Sequence, residues 1–186
     1  MTAQTSNFDF KIRKLWKRDQ DAIRDHFLRL DRGSRRMRFA AAVSDAFVES
    51  YTKELLSYDA VIFGAFCDGE LRAVAELRGL FHSWPMSAEA AFTVESGWQD
   101  IGIGEALFNR LVSAAQNRGV KRLNMLCLRE NDRMRHLARK HHAVLEFHEG
   151  EVEATLAPPW PTPMSLTEEL IGETTNYARN ILHLMA

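Results

Sequence analysis

Lys11 to Trp16 alternates basic with apolar residues and predicts a short first strand. From Asp19 the period lengthens, and Ile23, Phe27 and Leu30 fall on one stripe of a helix. The next stretch, with Arg32, Arg35, Arg36 and Arg38 around Gly33, has no such stripe and is expected to be a loop. Ser44 suits the N-cap of a second helix with Phe47, Val48, Tyr51 and Leu55 on its inner face. Ala60 to Phe66 and Leu71 to Leu77, joined by Cys67-Asp68-Gly69-Glu70, form a hairpin signal, and Ala88 to Glu95 predicts another strand. A helix from Gly104 to Arg118 follows, closed by Gly119, then a strand from Val120 to Leu128. The helix from Asn131 to about His142 turns Met134, Leu137 and Ala138 inward. A last hairpin, Val144 to Phe147 and Val152 to Leu156, bends about Gly150.

Strands on either side of single helices imply an α/β fold whose mixed central sheet has a parallel core, antiparallel flanks and flanking helices. Residues 1–157 make one domain on this reading. In 158–186 the composition changes: Pro158, Pro159, Pro161 and Pro163 make a stiff connector. Ser165 with Glu168 predicts a capping box opening a C-terminal helix that carries Leu166, Leu170, Ile171, Ala178, Ile181 and Leu182. Such an amphipathic appendage docks on its own domain or on a second copy, so a homodimer is compatible with it.

Composition narrows the classes without naming one. The 186 residues carry 24 Lys and Arg against 25 Asp and Glu, so neither a nucleic acid nor an anionic membrane is the expected partner. Cys67 and Cys127 lie in apolar runs, which argues against a disulfide framework and for a reducing cytoplasm. The first ten residues are polar, with no secretory apolar stretch, and no run approaches the ~20 apolar residues of a membrane span.

The chemistry points to one turn, Gln99-Asp100-Ile101-Gly102-Ile103-Gly104, between a strand and a helix. Backbone N–H groups at a helix start, with the helix dipole behind them, suit a phosphate or pyrophosphate. Gly102 and Gly104 let a bulky anion approach the backbone, and Gln99 adds an amide donor. A dinucleotide fingerprint would need a third glycine where Leu107 stands, and a phosphate-binding P-loop would need a Lys-(Ser/Thr) pair after the glycines. Neither is present.

With Gln99, Gly102 and Gly104 in the pattern (Arg or Gln)-x-x-Gly-x-(Gly or Ala), the chain resembles the GNAT N-acetyltransferase superfamily from about Lys11 to Leu156. Arg32 to Arg38 and Met134 to Thr155 resemble a bacterial subgroup of it. The resemblance implies an acyl-CoA N-acyltransferase fold and acetyl-CoA as co-substrate, with a primary amine as acceptor. It further implies that Thr93 and Val94 offer backbone groups to the pantetheine arm. The N–H groups from Gln99 through Asp100, Ile101, Gly102, Ile103 and Gly104 to Glu105 would hold the pyrophosphate, and Asn131 matches the asparagine opening the next helix.

Glu89 resembles the general-base glutamate of the histone acetyltransferase branch, with a surface carboxylate as the plain alternative and Glu76 in reserve. The family's usual general-acid tyrosine falls on Ala138, a departure that favours a catalytically weak acyl-CoA-binding regulatory module as the second reading. Direct attack needs no covalent enzyme intermediate, so Cys127 is expected to be structural. His136, His141, His142 and His148 lack the i, i+4 spacing of a metal pair, and no metal is expected. The arginine stretch is most simply a solvated surface, though it borders the acceptor cleft of the family fold and could meet an anionic acceptor or the CoA 3′-phosphate. His82, Trp84 and Met86 precede the key strand, where they could line the acceptor pocket.

Overall fold

A computed structural model describes residues 10–56, 59–80, 86–167 and 169. Seven strands form one sheet: β1 (Phe10–Lys14), β2 (Val61–Cys67), β3 (Glu70–Arg78), β4 (Ser87–Val94), β5 (Arg122–Leu128), β6 (Val144–Phe147) and β7 (Glu151–Leu156). Their order is β1-β2-β3-β4-β5-β7-β6. Among the described residues the helices α1 (Gln20–Arg29), α2 (Arg32–Phe39), α3 (Asp45–Glu54), α4 (Ile103–Asn117) and α5 (Asp132–Lys140) accompany them.

Local chemistry sets most element ends. The Ser44 side chain accepts from the Phe47 N–H at the start of α3, and Asn131 does the same for the Met134 N–H of α5. Asp68 and Gly69 both take positive φ, 51° and 81°, as the tight turn of the β2–β3 hairpin requires. One face of the sheet packs against α4 and α5 through Ile103, Leu107, Phe108, Leu111 and Ala138. The other packs against α1 and α3 through Ile23, Phe27 and Val48. Phe47, expected inward, is 46% exposed and lies against Phe39 and Tyr51 instead. Cys67 and Cys127 are buried free thiols.

Three expectations need correction. The parallel core is one short pair: only β4 and β5 run parallel, over Ser87↔Arg122, Ala88↔Leu123 and Glu89↔Asn124. The other neighbouring pairs are antiparallel, and β7 takes the place beside β5 that a parallel β6 would have needed. The arginine stretch is helix α2, begun by Asp31, whose side chain accepts from the Ser34 N–H, and ended by Ala40 at φ 55°. The C-terminal capping box is one turn earlier than expected. Thr162 and Ser165 exchange N–H to hydroxyl bonds at 3.1 Å, with Pro163 opening the helical turn 163–167. Glu168 and the helix residues from Leu170 onward lie outside the described residues.

The connector before that turn is docked on the end of α4. Gln116 donates to the Trp160 carbonyl at 2.8 Å, and Arg118 pairs with Glu169 at 2.8 Å. The Lys121 ammonium sits 3.1 Å from the centre of the Trp160 ring.

Candidate active site

Since β4 and β5 pair only from Ser87 to Glu89, β4 from Ala90 to Val94 has β3 on one edge and, among the described residues, no strand on the other. Which backbone groups face that open edge follows from alternation along a strand. The Glu95 N–H bonds the Arg72 carbonyl of β3, whereas the Met86 carbonyl accepts from Lys121 on the β5 side. Odd-numbered residues therefore point their N–H and C=O at β3, and even-numbered ones at the opening. Phe92 and Val94 present the open edge. Thr93, expected to offer backbone groups there, turns them to Val74 of β3 instead.

Beyond the open edge comes the turn into α4. The Gln99 side chain donates to the Val94 carbonyl at 2.9 Å, so its amide fastens the turn to β4. Gly102 is at φ 90°, a conformation that disfavours any side chain, and Asp100 is at φ 61°. A Cβ built at Gly104 meets nothing within 4 Å, so open space lies over the first turn of α4. The first helical N–H groups of α4 have no acceptor within the helix, which leaves them for an anion. Arg133 of α5 donates to both carboxylate oxygens of Asp100, at 3.1 and 2.9 Å, and Lys140 reaches Glu105 at 2.7 Å. Asn131 caps α5, Ile103 is buried in the core with Ile101 packed against it, and Asp100 and Glu105 carry the two carboxylates that α5 holds.

On the α1–α3 side, cross-strand neighbours build a polar row from Arg78 to Glu89 to Asn124 to Thr155. It runs along a pocket of about 350 Å³ lined by Asp59, Arg78, Ser87, Glu89 and Asn124. Glu89 is exposed there and stands at the last paired position before the strands part.

Glu76 has the opposite surroundings. It is 0% exposed, with Arg38 donating to one carboxylate oxygen at 2.8 Å and the Tyr51 hydroxyl to the other. Burial, reinforced by that carboxylate, pushes the Tyr51 hydroxyl well above its ordinary range, so it stays a donor. Arg36 of α2 pairs with Glu130 after β5. Sequence reasoning named Glu76 but not its partners, because they come from α2 and α3.

A second buried network went unpredicted. His26 of α1 is 0% exposed, its Nε2 2.8 Å from the Thr93 hydroxyl and its Nδ1 3.1 Å from Glu95. Glu95 also accepts from Arg29 at 3.0 Å and Arg72 at 2.9 Å. Burial raises the Glu95 carboxyl, but hydrogen bonds from His26, Arg29 and Arg72 outweigh it and hold the group at about 2. Burial lowers His26, which keeps it neutral. The available signal was a lone histidine beside the stripe of Ile23, Phe27 and Leu30.

Ala138 is 1% exposed in the core, so α5 offers no side-chain acid at that position. His141 stacks on Phe108 at 4.3 Å, and no grouping of three metal-binding side chains occurs among the described residues. His82 and Trp84 lie outside the described residues, and Met86 packs against the core.

An open strand edge that leads into a glycine turn at a helix start suits an extended phosphorylated arm, and the comparisons decide its family. The sequence model of the Acetyltransferase (GNAT) family matches residues 21–143. The chain belongs to this family. Among solved structures, the GNAT domain of Streptomyces lividans PAT is similar, with a TM-score of 0.70 and 20% identity over 80% of this chain and 90% of that one. The ribosomal-protein-S18-alanine N-acetyltransferase of Escherichia coli aligns with a TM-score of 0.63 and 17% identity, over 83% and 97%. The PaiA N-acetyltransferase of Thermoplasma acidophilum, solved with coenzyme A, gives 0.60 and 19%, over 80% and 99%. These similarities establish a GNAT fold. No helix among the described residues is long and apolar enough to cross a membrane.

Proposed function

We propose that this GNAT protein transfers an acetyl group from acetyl-CoA to a primary amine by direct attack, with Glu89 as general base. The observation that carries the proposal is the end of β4–β5 pairing at Glu89 and Asn124. There the open edge of β4 and the pocket holding Glu89 meet, so a thioester lying along one is within reach of an amine in the other. The pantetheine amides bond the backbone groups of Phe92 and the N–H of Val94, in place of the expected Thr93. The N–H groups at the start of α4 hold the pyrophosphate, with Gly104 leaving room for it.

An amine acceptor arrives as an ammonium. Glu89 takes its proton, the nitrogen lone pair attacks the thioester carbonyl, the carbon–sulfur bond breaks to release the CoA thiolate, and the acetylated nitrogen gives its second proton to solvent. With Ala138 in the core, solvent protonates that thiolate. Glu76 does not serve as the base, because Arg38 and Tyr51 occupy its oxygens. Reduced Cys67 and Cys127 suit a cytoplasmic enzyme.

Ala138 also motivates the second reading, a regulatory module that binds acyl-CoA without turnover. Thiol release from acetyl-CoA in the presence of mixed primary amines separates the two. The enzyme releases CoA in proportion to amine acetylated; amine-independent release, or none with acetyl-CoA bound, supports the module.

A further inference from the structure

We infer that His26 is a positioning residue: through Thr93 and Glu95 it fixes the open half of β4 against α1. The inference rests on the reading of that edge as the CoA site and adds a residue the reading does not use. From Ala90 to Val94, β4 has a strand on one side only among the described residues, yet its open edge must match a ligand arm along several backbone groups. A strand bonded along a single edge is free to twist, and a displacement on the order of 1 Å is costly at a reacting site. Something must hold it from its faces.

On one face Phe92 stacks on Phe108 of α4 at 5.5 Å. On the other the restraint is polar. Thr93 and Glu95, two residues apart and on the same side, both reach His26. Ionised Glu95 only accepts, so Nδ1 carries the imidazole proton and Nε2 accepts from the Thr93 hydroxyl. Each group in this chain has one role and one direction, which fixes the strand's height over α1 and its position along it. Apolar side chains would fill the same space without that register, and a buried polar network is often no more stabilising than an apolar one. Arg29 extends the hold by joining Glu95 to the Leu71 carbonyl of β3.

Thr93→Val removes the hydroxyl with little change of shape, and Thr93→Ser restores it. Calorimetric titration with CoA, well below the melting temperature, is expected to show affinity weakened by about fivefold or more in Thr93→Val, the effect of one lost hydrogen bond. Thr93→Ser stays within about twofold of wild type on the same scale. In steady-state assays the KM for acetyl-CoA rises in Thr93→Val while the KM for the amine holds. Where Thr93→Val does not fold, His26→Gln is read in its place, with the same loss of CoA affinity expected. Thr93→Val or His26→Gln with wild-type CoA affinity overturns the positioning role and leaves the proposed function standing. A wild-type protein that binds no CoA overturns both.

Discussion

Glu76 and Glu89 sit on neighbouring strands of one sheet face, and their surroundings divide the work between them. Glu76 is fully buried and bonded at both oxygens; Glu89 is exposed beside the pocket where β4 and β5 part. Glu89→Gln is therefore expected to lower kcat by about 10²-fold, a typical general-base contribution. The deficit should narrow as pH rises, because more of the amine is then already neutral. A pH–rate profile that Glu89→Gln leaves unchanged would remove Glu89 from the chemistry. At the turn, Gly104→Val fits the empty fold, since its Cβ meets nothing, but it fills the space above the α4 N–H groups. It should keep a native circular dichroism spectrum and lose CoA binding; retained affinity would contradict the anion site. The places of Glu89 and of the glycine turn on the fold were legible because each rests on a local signal. The misreading of Thr93 was of another kind, since which edge a residue faces depends on a ladder with β3 that no local pattern reports.

At the scale of elements, α2 shows how tertiary partners override propensity. It has four arginines, a glycine and no buried residue, so no apolar stripe marked it as a helix. Its arginines instead find acceptors on other elements: Arg35 the Leu28 carbonyl and Asp45, Arg36 Glu130, and Arg38 Glu76. Arg38→Met would leave Glu76 charged in the core and should cost about 3 kcal/mol or more in urea unfolding, as when one partner of a buried pair is removed. A loss near zero would mean that the Arg38–Glu76 pair does not hold α2 against the sheet. The helices with an apolar stripe and a capping Ser or Asn, α3 and α5, could be located from sequence because their determinants lie within them. His26 lies beside such a stripe in α1, but its partners, 67 and 69 residues away, could not be read from it.

For the whole molecule, the order of strands and helices other than α2 followed from local patterns, but the sheet's pairing did not. Pairing is a contest among distant strands, and the β6–β7 hairpin settled it by placing β7 beside β5. The buried network under β4 links this fold to pH. Burial lowers His26 from its ordinary 6.5, and its donors hold Glu95 at about 2 against an ordinary 4.5. Both folded values lie below the unfolded ones, so on acidification the unfolded chain binds more protons and stability falls. The His26 share is lost as pH drops below 6.5, and the Glu95 share as it drops from 4.5 towards 2. Thermal melts from about pH 7 to about pH 5 should show a falling Tm that flattens in His26→Gln. An equally steep fall in that variant would place the sensitive group elsewhere.

The central claim is that the open edge of β4 and the turn into α4 bind CoA, and melting temperature in the presence of ligands tests it most directly. A ligand bound only by the folded state adds about 2.7 kcal/mol at a hundredfold excess over Kd. For a chain of this size that is a rise of roughly 5–10 °C. Acetyl-CoA and CoA should both produce it, because both carry the pantetheine and pyrophosphate, while NADH and ATP should not. A rise with NADH and none with CoA would contradict the account.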